Sequence, residues 1–279
     1  MTSTTVYFVT GASRGIGTLD DELCTLMSSS FHPGFALVAE LAANVQNAFT
    51  YAGVRNLTQA VNLQKLASGY PGKITLVQYV AGDVAGNRTI AEIIKSKHGV
   101  VDIVVGSAGI SAYMGPVSET PLRAFRDHFE VNVIGMVVLF QTMLDLLKAS
   151  SDPKFIPISS VAGSITTFID LPLQYACYGS SKAALNYVSR KIHFENDWLT
   201  CVPIAPGVVR TDVAEYYVSL LIAIANRAMD ESGLLASLQD QAFISPEECA
   251  TALVRLIEGA TREKDGGEFM NIDGTKISW

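Results

Sequence analysis

The sequence is short of charge, and basic residues are the minority: 17% of its 279 residues are charged, with 20 Lys and Arg against 27 Asp and Glu, for a net charge of −7. A nucleic-acid surface needs clustered cations, so no nucleic-acid partner is expected. Cysteine is scarce as well. Cys24, Cys177, Cys201 and Cys249 form no CxxC or CxxC…H spacing, so neither a zinc site nor a redox pair is expected, and no metal at all. They read instead as small buried hydrophobes. Long apolar runs are missing: "VNVIGMVVLF" and "YYVSLLIAIA" fall short of the roughly 20 residues that span a bilayer. No basic leader stretch precedes "TTVYFVT", so a cytoplasmic protein with no membrane partner is expected. Internal repeats, low-complexity tracts and linkers are also missing, which makes 1–279 read as one domain.

What is present is a large apolar fraction, 49%, enough for a sizeable core. Short β-branched runs at 5–9, 48–54, 74–80, 101–106, 154–159 and 200–205 are apolar almost throughout, as strands buried on both faces are. Helical patterns at 35–46, 57–67, 87–98, 121–148 and 177–195 lie among them. This alternation predicts an α/β fold with a doubly wound parallel sheet of the Rossmann type. A late strand at 268–273 is expected to complete one edge.

Two patterns point to chemistry. Gly11, Gly15 and Gly17 in "TGASRGIG" follow the first strand directly. Glycines there permit a tight turn and close backbone approach to a pyrophosphate, and the following helix aims its N–H groups at the negative charge. Tyr178 and Lys182 in "YGSSK" are four residues apart, on one face of a helix. An ammonium there can lower the phenol's pKa from near 10 and favour proton transfer near neutrality. Either pattern alone is a weak signal; glycine-rich turns are common, and tyrosine-lysine pairs at this spacing arise by chance.

"TGASRGIG", "SAG" after the fourth strand, "VNV", "ISSVAG", "YGSSK" and "PGVVRT" occur in that order. With these six motifs the chain resembles the classical short-chain dehydrogenases/reductases over nearly its whole length. "RKIHFENDWL" and "DGTKISW" make it most similar to the fungal norsolorinic-acid-ketoreductase and sniffer-type carbonyl reductases. The resemblance implies an oxidoreductase that reduces a carbonyl of a small molecule with a nicotinamide dinucleotide. Tyr178 matches the general acid, and Lys182 the residue that binds the nicotinamide ribose and lowers the tyrosine pKa. Ser160 matches the hydroxyl that polarises the carbonyl, though Ser159 beside it is an alternative. Asn132 matches the asparagine that helps hold a water relay to the lysine; the alternative is an ordinary helix residue. Gly11, Ser13, Arg14, Gly15 and Ile16 match the pyrophosphate turn, Asp83 and Val84 the adenine contacts, Ala108 and Gly109 the backbone beside the cofactor. Pro206, Gly207, Val209 and Thr211 match the nicotinamide wall. NAD-specific relatives place an acid after the second strand, whereas here Arg55 stands there with Asn56. With Arg14 also able to meet a 2′-phosphate, NADP(H) is the expected cofactor. The family's "NNAG" is replaced by "GSAG" from Gly106, so the side-chain amides that steady the central sheet are missing.

A substrate lobe is expected at about 212–243, helical and small, with Ile110, Tyr113, Met114, Phe168, Tyr216 and Tyr217 offering surface for an aromatic or polyketide-like carbonyl compound; the same residues could instead fill core. The helices at 121–148 and 177–195 resemble the family's dimerising surface, which implies a homodimer or homotetramer. Residues 18–34 interrupt the passage from "TGASRGIG" to "FALVAELAAN". They read either as a loop that returns at Gly34 or, the favoured reading, as a retained in-frame intron. If they displace the helix, a dinucleotide-binding protein impaired in catalysis is the alternative function.

Overall fold

The computed structural model describes residues 4–13, 33–167, 169, 174–207 and 244–279. Arg14, Gly15, Ile16, Gly17, Cys24, Phe168, Val209, Thr211, Tyr216, Tyr217, most of the interrupting segment and the expected lobe at 212–243 lie outside those residues.

Six strands, β1 (Thr5–Thr10), β2 (Ala48–Val54), β3 (Ile74–Gln78), β4 (Ile103–Gly106), β5 (Lys154–Pro157) and β6 (Thr200–Cys201), form one sheet in the order 3-2-1-4-5-6. Every pairing in it is parallel. This is the doubly wound order, and it reverses between β1 and β4. Helices α1 (Gly34–Asn44), α2 (Val61–Gly69), α3 (Val84–Lys97), α4 (Leu122–Phe129), α5 (Gly135–Lys148), α6 (Ala176–Glu195) and α7 (Pro246–Gly259) cover the two faces. Successive residues of β1 serve opposite cores because strand side chains alternate. Tyr7 and Val9 pack with Leu37 and Leu41 of α1 and Leu253 and Ile257 of α7. Val6 and Phe8 pack with Ile90 and Ile94 of α3, Met136, Leu139 and Met143 of α5, and Leu185 of α6.

The expected strand at 200–205 is broken in two. Val202 N still donates to Phe155 O, but Pro203 has no N–H to continue the ladder. The chain resumes as β7 (Ile204–Ala205), paired in parallel with β8 (Met270–Asn271), the core of the expected late strand. An isolated bridge from Ile158 to Ile204 keeps this pair alongside the main sheet. The expected helix at 121–148 holds a wide π turn at Glu130–Ile134 between α4 and α5. With that turn included, Leu122–Lys148 is long and apolar enough to cross a membrane by length and composition, which the separate apolar runs had not indicated. Its apolarity has a local cause: Met136, Leu139, Met143 and Leu147 are buried in the core. Helix α7 was not anticipated, although its start is written in the sequence. Ser245 Oγ accepts from Glu248 N, Glu248 answers at Ser245 N, and Pro246 fills the first turn.

One buried cation ties α7 to the sheet. Lys154, 3% exposed, donates to the Ile257 and Glu258 carbonyl oxygens, each at 3.1 Å, and lies 3.3 Å from Asp152. It satisfies carbonyls that a helix C-terminus leaves bare and opposes the helix dipole. Lys154→Met is expected to lower the urea midpoint by about 2 kcal/mol of stability with an unchanged m-value; an unchanged midpoint would show that this cap is dispensable.

Candidate active site

Parallel strands deliver their C-terminal ends to one edge, and the turns after β1, β4 and β5 meet there. Gly11 leaves β1 at φ +69°, a conformation that favours glycine, and a Cβ on it would lie 2.9 Å from Ala108 N. Thr10 Oγ1 accepts from Ser107 N and Ala108 N, both at 3.1 Å. That hydroxyl joins the two turns where the family's amides are missing. The space is filled as well, since a side chain at Gly106 would run into Met136 Sδ. Gly34, which opens α1, packs directly on this turn: a Cβ there would lie 2.7 Å from Gly11 O. The position before α1 is Pro33, which brings no side-chain acceptor, and its first turn has no acidic residue. Among the described residues, no side chain caps its first N–H groups, which a helix N-terminus aims at an anion.

Asn132 sits in the π turn, 1% exposed, with its amide fully engaged. Its Oδ1 accepts from Ile110 N at 2.7 Å, while Nδ2 donates to Ile110 O and to Ser181 Oγ, both at 2.9 Å. Ser181 Oγ donates in turn to Tyr178 O. Asn132 thus links the turn after β4 to the helix that holds Tyr178.

The two serines after β5 separate cleanly. Ser159, 2% exposed, donates to Asn186 Oδ1 at 2.5 Å and is spent in the core. Ser160 caps the short 3-10 turn Val161–Gly163, its Oγ accepting from Ala162 N, and its side chain lies close enough to the Tyr178 phenol to pull its pKa down. Two glycines press that turn flat against α6. A Cβ on Gly163 would meet Lys182 backbone at 2.8 Å, and one on Gly179 would meet Ala162 O at 2.8 Å.

Lys182, 6% exposed, donates to Ile158 O at 2.8 Å, with Nζ 5.7 Å from the Tyr178 ring centre. Burial pushes its pKa down to about 8. The Tyr178 phenol is raised by desolvation, with the Ser160 side chain pulling the other way. Of the two, desolvation prevails.

The remaining positions fall around this edge. Ala108 and Gly109 follow β4, and a Cβ on Gly109 would lie 3.0 Å from Asn132 Oδ1. Asp83 caps α3 by accepting from Gly86 N, and it and Val84 are exposed after β3. Arg55 is exposed just after β2. Pro206 is buried, and Gly207 follows at φ +74°. Ile110, Tyr113 and Met114 are half-buried on the loop after β4. The sequence reading missed the C-terminal strap: Ser164 Oγ donates to Ser278 O and Thr166 Oγ1 to Trp279 O, fastening the segment after Ser160. The Trp279 ring, against Phe269 and Arg190, was its one visible signal.

A glycine turn at the switch point of a doubly wound sheet, beside a half-buried serine and tyrosine and a buried lysine, defines a dinucleotide-dependent oxidoreductase of the short-chain type. The family described as short chain dehydrogenase matches residues 33–219, opening on the far side of the interruption, and the chain belongs to that family. It is 32% identical to the norsolorinic acid ketoreductase of Aspergillus parasiticus, over 99% of this chain and 91% of that protein. It is 30% identical to the norsolorinic acid ketoreductase nor1 of Dothistroma septosporum, over 99% and 92%. Among solved structures, the NADPH-bound carbonyl reductase from chicken fatty liver superposes with a TM-score of 0.78 at 24% identity, and the carbonyl reductase Sniffer of D. melanogaster with 0.76 at 20%, each over 100% of both chains.

Lys182 tests the electrostatics of the site. Its pKa is lower folded than unfolded, so holding it charged costs stability below about pH 8, and the cost fades as pH rises through the ordinary lysine range near 10.4. Lys182→Met is expected to raise stability at pH 7 by about 2 kcal/mol, the relief of burial less the lost hydrogen bond to Ile158. Urea midpoints at neutral and strongly alkaline pH check this; a variant less stable than the parent at pH 7 would refute it.

Proposed function

We propose that the chain is an NADPH-dependent reductase of ketones or aldehydes. The observation that supports this best is the meeting of Tyr178, Ser160 and Lys182 beside the Gly11 turn. The residues present fit a dinucleotide. Gly11 is held open by conformation and contact, and among the described residues α1 has no side-chain cap at its N-terminus and Ser107 Oγ is buried without a partner in the adjoining turn. Gly11, Ser13, Ala108, Gly109, Asp83, Val84, Pro206 and Gly207 would hold the dinucleotide, with Arg14, Gly15, Ile16, Val209 and Thr211 carried by the resemblance alone. When bound, the nicotinamide supplies the two electrons of the reduction.

The protein's own residues do the rest. The Ser160 hydroxyl donates to the carbonyl oxygen and fixes its place beside Tyr178. The Tyr178 phenol gives its proton to that oxygen as negative charge develops on it. A phenol whose pKa burial has raised stays protonated at neutral pH, as an acid awaiting substrate must. The Lys182 ammonium supports the phenolate left behind, and Asn132 holds the turn after β4 against α6.

Arg55, exposed after β2 where no carboxylate competes, favours a 2′-phosphate, so NADP(H) is the cofactor in this reading. The NADPH in the chicken enzyme agrees with it. Half-buried Ile110, Tyr113 and Met114 favour an aromatic or polyketide-like carbonyl compound, in keeping with the names of the fungal relatives. Exposed Tyr187 and Phe194 on α6 and Ile134 before α5 suit a homodimer or homotetramer in the cytoplasm. The contact between Gly34 and Gly11 argues against the impaired alternative, because α1 starts at the turn it must serve.

Tyr178→Phe is expected to lower kcat by about a thousandfold on aromatic ketones while NADPH binding stays within a few-fold. NADPH at a hundred times Kd is expected to stabilise the chain by about 2.7 kcal/mol, and NADH far less. Arg55→Asp is expected to reverse that preference. A cooperative melt that neither cofactor shifts would favour the impaired binder and make the chain lacking 18–34 the competent form.

A further inference from the structure

The loop that leaves β4 is held at three nearby backbone positions by side chains from α4, the π turn after it and α6. Asn132 holds both polar groups of Ile110. His128, one helical turn earlier and 1% exposed, accepts from Ala112 N at 3.0 Å through Nε2. Cys177, next to Tyr178, donates its S–H to Tyr113 O at 3.5 Å, with its sulfur 3.9 Å from His128 Nε2. The tautomer of His128 is fixed by its other nitrogen. Nδ1 lies 2.6 Å from Ala124 O and must carry the proton, which leaves Nε2 bare to accept.

We propose that His128 is a positioning residue that, with Cys177, sets the backbone of residues 110–113 and thereby the wall that Ile110 and Tyr113 present to a bulky carbonyl substrate. The substrate part of this inference rests on the reductase reading above; the clamp itself does not. Only the neutral imidazole can hold Ala112. Protonation would set an N–H donor against the Ala112 N–H. Among the described residues, the titratable groups around His128 are Asp127 on its own helix, Lys182 and Cys177 on α6, and Tyr113 on the loop it holds. Burial and the Lys182 charge lower its pKa, while the Ala124 carbonyl and Asp127 oppose them without prevailing. The clamp is therefore complete above the ordinary imidazole range and is lost as pH falls below it.

Amide hydrogen exchange of the segment 109–115, corrected for intrinsic rates, reads the clamp directly. In the parent, protection of Ala112 is expected to fall about tenfold between about pH 7.5 and a pH well below the ordinary imidazole range. His128→Leu should lack that protection at both pH values. His128→Gln, whose amide oxygen can accept from the same N–H, should restore it and remove its pH dependence. In NADPH-dependent turnover, His128→Leu should raise KM for a bulky aromatic ketone about tenfold, leave kcat on a small aldehyde within about twofold, and be rescued by His128→Gln. Equal exchange in all three chains at both pH values would overturn the clamp, and an unchanged KM for the bulky ketone would overturn its role in the wall. If His128→Leu loses its cooperative melt, the parent and His128→Gln still decide both points through their pH profiles. A parent that exchanges as expected but reduces no carbonyl would refute the reductase reading and leave the clamp standing.

Discussion

The hydroxyl of Thr10 accepts from the backbone N–H groups of Ser107 and Ala108, and everything at the site is placed from that seam. It lies where the strand order reverses, so the chain diverges on either side and opens a crevice at the carboxyl ends of the strands. Gly11 can press against Ala108 only because it has no side chain, and Gly106 leaves room for Met136. Around the glycine and serine that stand for two asparagines, the Thr10 hydroxyl supplies an acceptor for two backbone N–H groups, and the Met136 thioether fills the volume beside Gly106.

From this seam the site is assembled by helices that serve two purposes. Helix α6 packs Leu185 and Ile192 into the core and, on the same length of helix, carries Tyr178 and Lys182. The turn that holds Ser160 lies flush on α6 through Gly163 and Gly179, so the distance between serine and tyrosine is set by backbone contact rather than by flexible side chains. Preorganisation of this kind has a cost, visible in Lys182, whose ammonium is kept out of water and, among the described residues, donates to a single carbonyl, that of Ile158. A residue chosen for stability at that position would be apolar.

Strand β2 is legible in the sequence to the residue, because a strand buried on both faces is a plain apolar run. The break at Pro203 was legible in principle, since proline cannot donate to a ladder, but the continuous apolarity of 200–205 masked it. Helix α7 shows the reverse: its capping box and its buried apolar stripe of Ala250, Leu253, Val254 and Ile257 were both present in the sequence, and the helix was not anticipated. Tyr178 and Lys182 could be placed by spacing, since i and i+4 share a helix face in any context. The choice between Ser159 and Ser160 could not, because it turns on which hydroxyl faces Asn186, 27 positions along the chain. The same holds for His128, whose partner Ala112 is fixed only by the meeting of the loop after β4 with the helix before the π turn. The π turn itself leaves no mark on the periodicity of 121–148.

The interruption after the glycine turn is where sequence and structure bear on each other most closely. Closing a loop of this length costs about 2.5 kcal/mol plus a constant, which a fold with two cores can absorb. The harder demand is geometric. A pyrophosphate needs a helix N-terminus at the glycine turn, and a helix starting elsewhere would leave the negative charge without its N–H donors. Gly34 meets that demand, since its missing side chain lets α1 begin in contact with Gly11 O and Thr10 O. Helix α1 is thus placed by contact across the fold rather than by continuity of the chain. That is why "FALVAELAAN" packs as the first helix of a doubly wound sheet although it does not follow the first strand directly.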